Sequence, residues 1–198
     1  MKRLLLAACG LVLVGVAVAA EWSTATGTDI GPSYTTDGKL KYPVNYREWV
    51  FLSSGIDMSY GDRRGDAMGH SMFDNVFAEP SAYREFMRTG TWPDGTQLTL
   101  EVRGASEKGS INQHGKFQTD EIMGMEVHVK DVKRFRGQGG WAFFNFRDTA
   151  PAGMIPTTED CYSCHQQHAA VDTTFVQFYP TLLKIATLKG TLSPGYKP

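Results

Sequence analysis

After its first 20 residues, this chain has the sequence pattern of an α+β domain with an antiparallel sheet. Helical signals are few and cluster toward the C-terminus. No repeat, charge block or long linker divides the stretch, so we expect one domain in which strands outnumber helices. Short runs of β-branched, aromatic and aliphatic residues, punctuated by Gly, Pro, Asp or Asn, predict strands over residues 48–53, 73–77, 98–103, 122–130 and 141–146.

Three helices are expected among these strands. Pro80 suits the first turn of a helix over 81–89, which Gly90 would end. A second helix should carry the cysteine motif described next. The third covers 174–189, where Pro180 must kink the helix or open it.

The cysteine motif near the C-terminus is Cys161-Tyr162-Ser163-Cys164-His165. Two cysteines three apart, with histidine directly after the second, form the attachment signal for a c-type haem. Residues three and four apart share one face of a helix, so both sulfurs can bond the vinyl groups of one porphyrin. His165 is then the proximal metal ligand. We predict one haem c, held covalently through two thioethers and packed against the sheet.

Two other interpretations of this motif fit the sequence less well. A zinc site needs four ligands, and the adjacent Cys164 and His165 cannot both chelate one ion comfortably. Only His168 lies nearby, and the chain has no second cysteine pair. A thioredoxin-like redox pair would lie early in a βαβ unit rather than late in the chain.

The N-terminus predicts export, which agrees with haem attachment outside the cytoplasm. Two basic residues precede an uncharged run of 17 that ends in small residues, so residues 1–20 are interpreted as a signal peptide and the protein as periplasmic. An uncleaved anchor is the alternative, because the run is at the lower limit for a membrane span. We expect residues 21–45 to form an N-terminal arm and 46–198 the haem domain.

Cleavage after residue 20 leaves 178 residues, enough for one domain with a proper core. Two cysteines remain, and both are committed to haem, so no disulfide is expected. The mature chain keeps 18 of 20 basic and all 21 acidic residues, a formal charge of −3. That charge gives no indication of nucleic-acid or membrane binding.

A series of short motifs resembles the cytochrome P-460 family from Tyr46 to about Leu183. Each motif is weak alone, but their order and spacing make the resemblance specific. Besides the haem motif, it rests on Tyr46-Arg47-Glu48-Trp49-Val50, Asn75-Val76-Phe77, Glu79-Pro80-Ser81-Ala82-Tyr83, Trp92-Pro93-Asp94-Gly95-Thr96, Val129-Lys130-Asp131, Arg134-Phe135, Trp141-Ala142-Phe143-Phe144 and Phe178-Tyr179-Pro180.

The resemblance implies a periplasmic, usually homodimeric haem c protein whose haem lies against an antiparallel sheet, with His165 on the proximal side. Some members of this family oxidise hydroxylamine, and their haem carries an extra covalent bond to a lysine. Others, the cytochromes c′-beta, lack that bond and bind nitric oxide.

This chain departs from the enzyme pattern at two positions. Leu100 stands where the enzymes have the cross-linking lysine. The nearest basic residue, Arg103, would point to the opposite face of the strand, and its guanidinium stays protonated. No lysyl–haem bond is therefore expected. Asp74 stands where the enzymes place an arginine over the haem, which weakens the expectation that anionic intermediates bind here.

Glu126 is the candidate catalytic residue. Alternation puts Gly124, Glu126 and His128 on one face of a predicted strand. The resemblance implies that this strand delivers a carboxylate over the iron, where it could accept a proton from a substrate N–H or O–H. The alternative is that Glu126 and His128 line the solvent face of a half-buried strand.

The sequence leaves the sixth iron position open. Met154 lies in the loop before the haem helix, and Met72 precedes the strand that carries Asp74. A thioether ligand from either methionine would raise the potential and make the protein an electron carrier.

Three functions follow as hypotheses. The leading one is a periplasmic haem protein that binds nitric oxide or a related small nitrogen species in a distal pocket, with slow redox detoxification as an additional role. The second is a hydroxylamine-oxidising enzyme with Glu126 as base. The third is a Met-ligated electron-transfer cytochrome. Whether the chain is an enzyme is thus open, and its redox partner, expected to be another cytochrome, is not identified by the sequence.

Overall fold

The computed structural model describes residues 31–60 and 69–197. Their strands form one five-stranded antiparallel sheet in which each strand pairs with the next along the chain. The predicted α+β class and antiparallel sheet are therefore confirmed, as are all five predicted strands. The strands are β1 (Val50–Ile56), β2 (Met72–Ala78), β3 (Gln97–Ser106), β4 (Phe117–Lys130) and β5 (Trp141–Phe146).

The described ranges also contain three α-helices: α1 (Pro80–Thr89), α2 (Asp160–His168) and α3 (Pro180–Lys189). In α1 the predicted boundaries are confirmed, because Pro80 occupies the first turn and Gly90 closes the helix at φ 79°. Pro180 begins α3 rather than kinking a longer helix, since proline has no N–H to donate to a preceding turn.

One face of the sheet is closed by a dense apolar core. Alternate residues of β2, β4 and β5, such as Phe77, Val127 and Phe144, are at most 9% exposed there. They pack against Tyr46, Trp49, Leu40, Phe135 and Ala152 from the connecting segments. We call this side of the sheet the closed face.

The opposite face is covered only in part. Helices α1 and α3 pack over one end of it, where Leu98 and Trp141 join Phe86, Trp92 and Leu182 in a second core. The remainder of this face lines a cavity and is called the cavity face. Helix α2 and the segment that follows it border this cavity. Along each strand, the side chains that alternate with those of the closed face point to this opposite side. There they line the cavity or belong to the second core.

The expected signal peptide, residues 1–20, lies outside the described residues, as does the first part of the expected arm over 21–45. The described part of that arm is tied to the domain. Leu40 is fully buried, and its backbone exchanges two hydrogen bonds with Ala152. Among the described residues, no helix has the length and apolarity needed to cross a bilayer.

Candidate functional site

The cavity on the cavity face has a volume of about 290 Å³. All five strands contribute residues to its floor, His165 of α2 lies in its wall, and aromatic residues after α2 complete it. The side chains that matter most for its chemistry are Met58, Tyr60, Met72, Asp74, Leu98, Leu100, Glu126, His128, Phe143, His165, Phe175 and Phe178. Most of this surface is apolar, so polar groups in it are few and chemically significant.

Helix α2 presents the cysteine motif beside this cavity. The ring of Tyr162 packs edge-on against Phe143 of β5, and its hydroxyl donates to the carbonyl of Ile155 at 3.0 Å. These contacts dock the helix on the sheet. Cys161 and Cys164 are free thiols and partly buried. Burial and the nearby charge of Glu126 raise the pKa of the Cys161 thiol, so this cysteine lies within electrostatic reach of the cavity floor.

His165 is held in one orientation and one tautomer. Its Nδ1 lies 2.7 Å from the carbonyl oxygen of Thr173. A carbonyl can only accept, so Nδ1 carries the proton and Nε2 keeps its lone pair. The ring is stacked on Phe175 at 4.1 Å and contacts Phe143 edge-on at 4.6 Å. Burial lowers the pKa of His165, which keeps the imidazole neutral and able to bind a metal.

The loop that supplies the Thr173 carbonyl is itself anchored. The indole N–H of Trp92 donates to the hydroxyl of Thr174 at 2.8 Å, in the buried core. Lys130 pairs with Asp172 at 3.0 Å on the other side of Thr173. The orientation of His165 is therefore set by the tertiary fold rather than by α2 alone.

His128 supports the same loop from the sheet. It is 8% exposed, its ring stacks on Phe143 at 4.0 Å, and its Nε2 lies 3.3 Å from the hydroxyl of Thr173. Burial lowers the pKa of His128 well below its ordinary value, with the nearby His165 adding to the effect, so the ring is neutral.

Two carboxyl groups of the described residues, Asp74 and Glu126, lie on the cavity face. The structure places Glu126 and His128 on that face, opposite Met125 and Val127, as the cavity-facing interpretation of β4 requires. Burial raises the pKa of Glu126. Burial, the charge of Glu126 and the charge of Asp57 raise the pKa of Asp74 to about 6. Whether Glu126 acts in catalysis stays a prediction.

Leu100 and Arg103 lie as the strand alternation predicts. Leu100 points into the cavity beside Glu126, its neighbour in the register. Arg103 points away from the cavity, where its guanidinium binds Glu101 and the carbonyl of Thr119. The absence of a lysyl–haem bond stays a prediction.

The methionines that line the cavity are not the same two that the sequence indicated. Met72 lines the cavity, and Met58, which the sequence did not single out, lines it too. Met58 occupies the space that a Cβ on Gly55 would need. Met154 is not among the lining residues; it is 39% exposed, and its sulfur lies 3.6 Å from the amide of Gln138. A neighbouring glycine is too weak a signal to have identified Met58 from the sequence.

Tyr60 and Phe175 are further cavity residues that the sequence did not indicate. Their rings lie 5.7 Å apart, and Phe175 also stacks on His165. Both lie in irregular segments, where no periodicity assigns a side chain to a face. In the ranges 31–60 and 69–197, no three His, Cys, Asp or Glu side chains come together as a site for a metal ion.

A family model, cytochrome P460, matches residues 43–176. The chain belongs to the cytochrome P460 family. The match contains the whole cysteine motif and all five strands, so the family predicted from the sequence is confirmed. Membership of this cytochrome family supports a c-type haem as the cofactor. The neutral, oriented His165, the two adjacent free thiols and the apolar cavity all fit that group. No curated protein matches the chain.

Proposed function

We propose that this protein is a periplasmic haem c protein that binds nitric oxide or a related small nitrogen species in its cavity. Cys161 and Cys164 would hold one porphyrin through thioethers, and His165 would bind its iron. When bound, the haem supplies an iron that takes small ligands and exchanges electrons. The observation that carries the proposal is that His165, oriented by Thr173, lines the same cavity as two acidic side chains.

The walls of the cavity favour a small neutral ligand. Leu98, Leu100 and Phe143 give much of its surface an apolar character. A charged ligand would lose its hydration on entering such a site, whereas nitric oxide has little hydration to lose. The cavity therefore suits an uncharged diatomic molecule better than an anion such as nitrite.

A second function, the oxidation of hydroxylamine, is favoured by the position of Glu126. A general base works best when its pKa approaches the working pH, and burial raises the pKa of this carboxyl in that direction. Glu126 would then accept a proton from the substrate N–H or O–H. With Leu100 in place of a nucleophile, such an enzyme would work without the lysyl bond.

A third function, electron transfer, would follow if a thioether occupied the sixth iron position. Met58 and Met72 both line the cavity, whereas Met154 is not among its lining residues. Electron transfer, hydroxylamine oxidation or redox detoxification would each need a redox partner, which we propose is another cytochrome. We also propose that the protein forms a homodimer, as the family resemblance implies.

The optical spectrum of the purified ferrous protein, with and without nitric oxide, tests these functions. We expect a five-coordinate ferrous spectrum that changes at once on adding nitric oxide. A low-spin six-coordinate spectrum that becomes high-spin in Met58→Ala or Met72→Ala would instead establish the electron carrier. Met154→Ala is the matched control, because it removes a thioether outside the cavity lining.

Haem attachment has its own test. The haem should stay bound through acid–acetone extraction, and mass spectrometry should show one haem and two thioethers per mature chain. The pyridine haemochrome should be that of an ordinary c-type haem. A third linkage between protein and porphyrin would contradict the interpretation of Leu100, and stable haem-free protein with bound zinc would contradict the haem itself.

A further inference from the structure

Asp74 and Glu126 reach the cavity from two strands that are separated by β3. In the register, Leu100 pairs with Val76 of β2 on one side and with Glu126 of β4 on the other. Asp74 lies two residues from Val76 and therefore has the same orientation. Strands are spaced about 4.8 Å apart, so β2 and β4 are about 10 Å apart at this level. Asp74 itself pairs with Val102, two residues beyond Leu100, so the two carboxyls lie diagonally across β3, and both line the cavity of about 290 Å³.

No lysine or arginine of the described ranges lines this cavity. The other titratable groups that line it are Tyr60, His128, His165 and Tyr179. Burial keeps both histidines neutral by lowering their pKa values, and it raises the pKa of both tyrosines, so all four are uncharged near neutral pH. The thiols of Cys161 and Cys164 lie beside the cavity and would be consumed by haem attachment.

A third carboxylate, Asp57, also acts on Asp74 and has partners of its own. It accepts hydrogen bonds from the hydroxyl of Ser71 and the backbone N–H of Met72, and Lys116 lies 3.4 Å away. These contacts lower the pKa of Asp57, so it stays ionised and adds to the negative potential at Asp74. None of these cationic or hydrogen-bonding partners is shared with Glu126 in the described contacts.

Two carboxylates in a largely apolar cavity cannot both be ionised without a high electrostatic cost. The pair therefore titrates as a unit and retains one proton in the more acidic part of the physiological range. Asp74 is the member that keeps it, because the charges of both Glu126 and Asp57 act on Asp74, whereas burial alone acts on Glu126. A bound ferrous haem core would carry no net charge and would leave this repulsion in place, whereas a ferric core would add one positive charge equally in wild type and in every variant.

We propose that Asp74 and Glu126 form a one-proton carboxyl pair that donates a hydrogen bond to a neutral ligand between them and excludes anions from the cavity. The inference rests on the proposed function and deepens it by naming the ligand class. Protonated Asp74 is the donor to an acceptor atom of the ligand. Ionised Glu126 repels anions and accepts from any N–H or O–H that the ligand carries. No covalent bond is made or broken in this recognition step.

Azide binding to the ferric protein tests the exclusion of anions. Dissociation constants from optical titrations would be compared at pH 5 and pH 8 for wild type, Asp74→Asn, Glu126→Gln and Asp120→Asn. Asp120 is the matched control, because it lies on β4 with its side chain exposed outside the cavity. Dividing each variant's dissociation constant by that of wild type at the same pH removes the effect of the protonation of azide itself.

At pH 8 we expect azide to bind about tenfold more tightly to Asp74→Asn and to Glu126→Gln than to wild type, since each variant removes one nearby charge. At pH 5 the advantage of Asp74→Asn should vanish, because Asp74 then carries its proton in wild type as well. Asp120→Asn should match wild type throughout. Equal azide affinities in wild type and both cavity variants would overturn the pair.

The N–O stretching frequency of the ferrous nitrosyl, measured by resonance Raman spectroscopy, tests the hydrogen bond. Wild type should show different frequencies at pH 5 and pH 8, Asp74→Asn one frequency at both, and Asp74→Leu the frequency of a ligand without a donor. A pH-independent wild-type frequency would overturn the donor role. If no nitrosyl forms, the proposed function fails, and the azide titrations still decide whether the pair exists.

Discussion

Glu101 and Glu126 lie on neighbouring strands of one sheet, yet on opposite faces and in opposite electrostatic surroundings. Glu101, on the closed face, is fully buried. Arg103 and Arg47 each approach its carboxylate to 2.7 Å, the amide of Asn75 donates at 3.2 Å, and the hydroxyl of Tyr46 donates as well. Burial raises the pKa of Glu101, but hydrogen bonds from Arg103 and Tyr46 and the arginine charges outweigh it, and the pKa is lowered.

Glu126, on the cavity face, has no such partners among the described contacts. Burial raises its pKa, and its charge in turn raises that of Asp74. A carboxylate that only stabilises the fold is neutralised by cations, because an unpaired buried charge is costly. Carboxyl groups left without cations in a cavity retain their capacity to exchange protons, which is typical of functional sites. The closed face therefore contributes mainly to stability, and the cavity face carries the carboxyl groups that are available for chemistry.

The largest expected effect concerns the haem itself, on which the cavity face depends. Cys161→Ala combined with Cys164→Ala should yield unstable apoprotein, because the apolar surface of the haem also contributes to folding stability. Thermal unfolding followed by circular dichroism measures this loss. A double variant that stays as stable as wild type without haem would show that the cavity face folds independently of its cofactor.

On the closed face, Glu101→Ala should lower the free energy of unfolding by about 3 kcal/mol, because it leaves Arg103 without its buried partner. Urea denaturation of the haem-bound protein measures the change. Glu126→Ala is the matched variant on the cavity face and should change the free energy of unfolding far less. Equal losses in the two variants would mean that the faces do not differ in the way described.

If the protein oxidises hydroxylamine, turnover should respond in the opposite way to stability: Glu126→Ala should then have the larger effect of the two variants. Glu126→Ala and Glu126→Gln should each lower turnover by at least about 100-fold, since a positioned general base contributes about 10²–10⁴-fold. Gln preserves the volume but cannot accept the proton. Nitric oxide affinity should change only modestly. Unchanged turnover in both variants would limit Glu126 to ligand recognition and remove the enzymatic hypothesis.

The smallest expected effect is the pH dependence of stability that Asp74 contributes. The folded protein holds this proton more tightly than the unfolded chain does, because the pKa is raised to about 6. The stabilisation is thus complete below the ordinary aspartate pKa and is lost as the pH rises through about 6. Between pH 5 and pH 7.5, the melting temperature of wild type should fall more than that of Asp74→Asn. If the melting temperatures of wild type and Asp74→Asn fell in parallel with pH, the pKa of Asp74 would be ordinary. The control Asp120→Asn should follow wild type.

Much of the fold was predictable because its signals are local. Each of the five strands has a run of residues suited to a pleated sheet, with glycine, proline or polar residues at its ends. Pro80 and Gly90 mark the ends of α1 through backbone conformations that depend only on those residues. The extra residue that β4 carries near Ile122 was not predictable, since a bulge arises from pairing with β3.

The candidate site was predictable in part. The cysteine motif specifies its own chemistry through three residues on one helix, and alternation along β4 separates Glu126 from Met125. The sequence could not assign Met58, Tyr60 or Phe175 to the cavity, because they reach it from irregular segments. It also could not distinguish Met154 from Met72, since distance along the chain does not give distance from α2.

By itself, the sequence determined the α+β class, the haem motif, the family and the alternation of the strands away from their bulges. These depend on interactions between residues a few positions apart, where backbone geometry is nearly fixed. Only the tertiary structure decided which carboxyl groups are neutralised and which are not. Glu101 has its arginines, and Asp74 and Glu126 have each other, because strands distant in sequence are paired in one register. Electrostatic environment depends on distances in space, and the fold alone sets those.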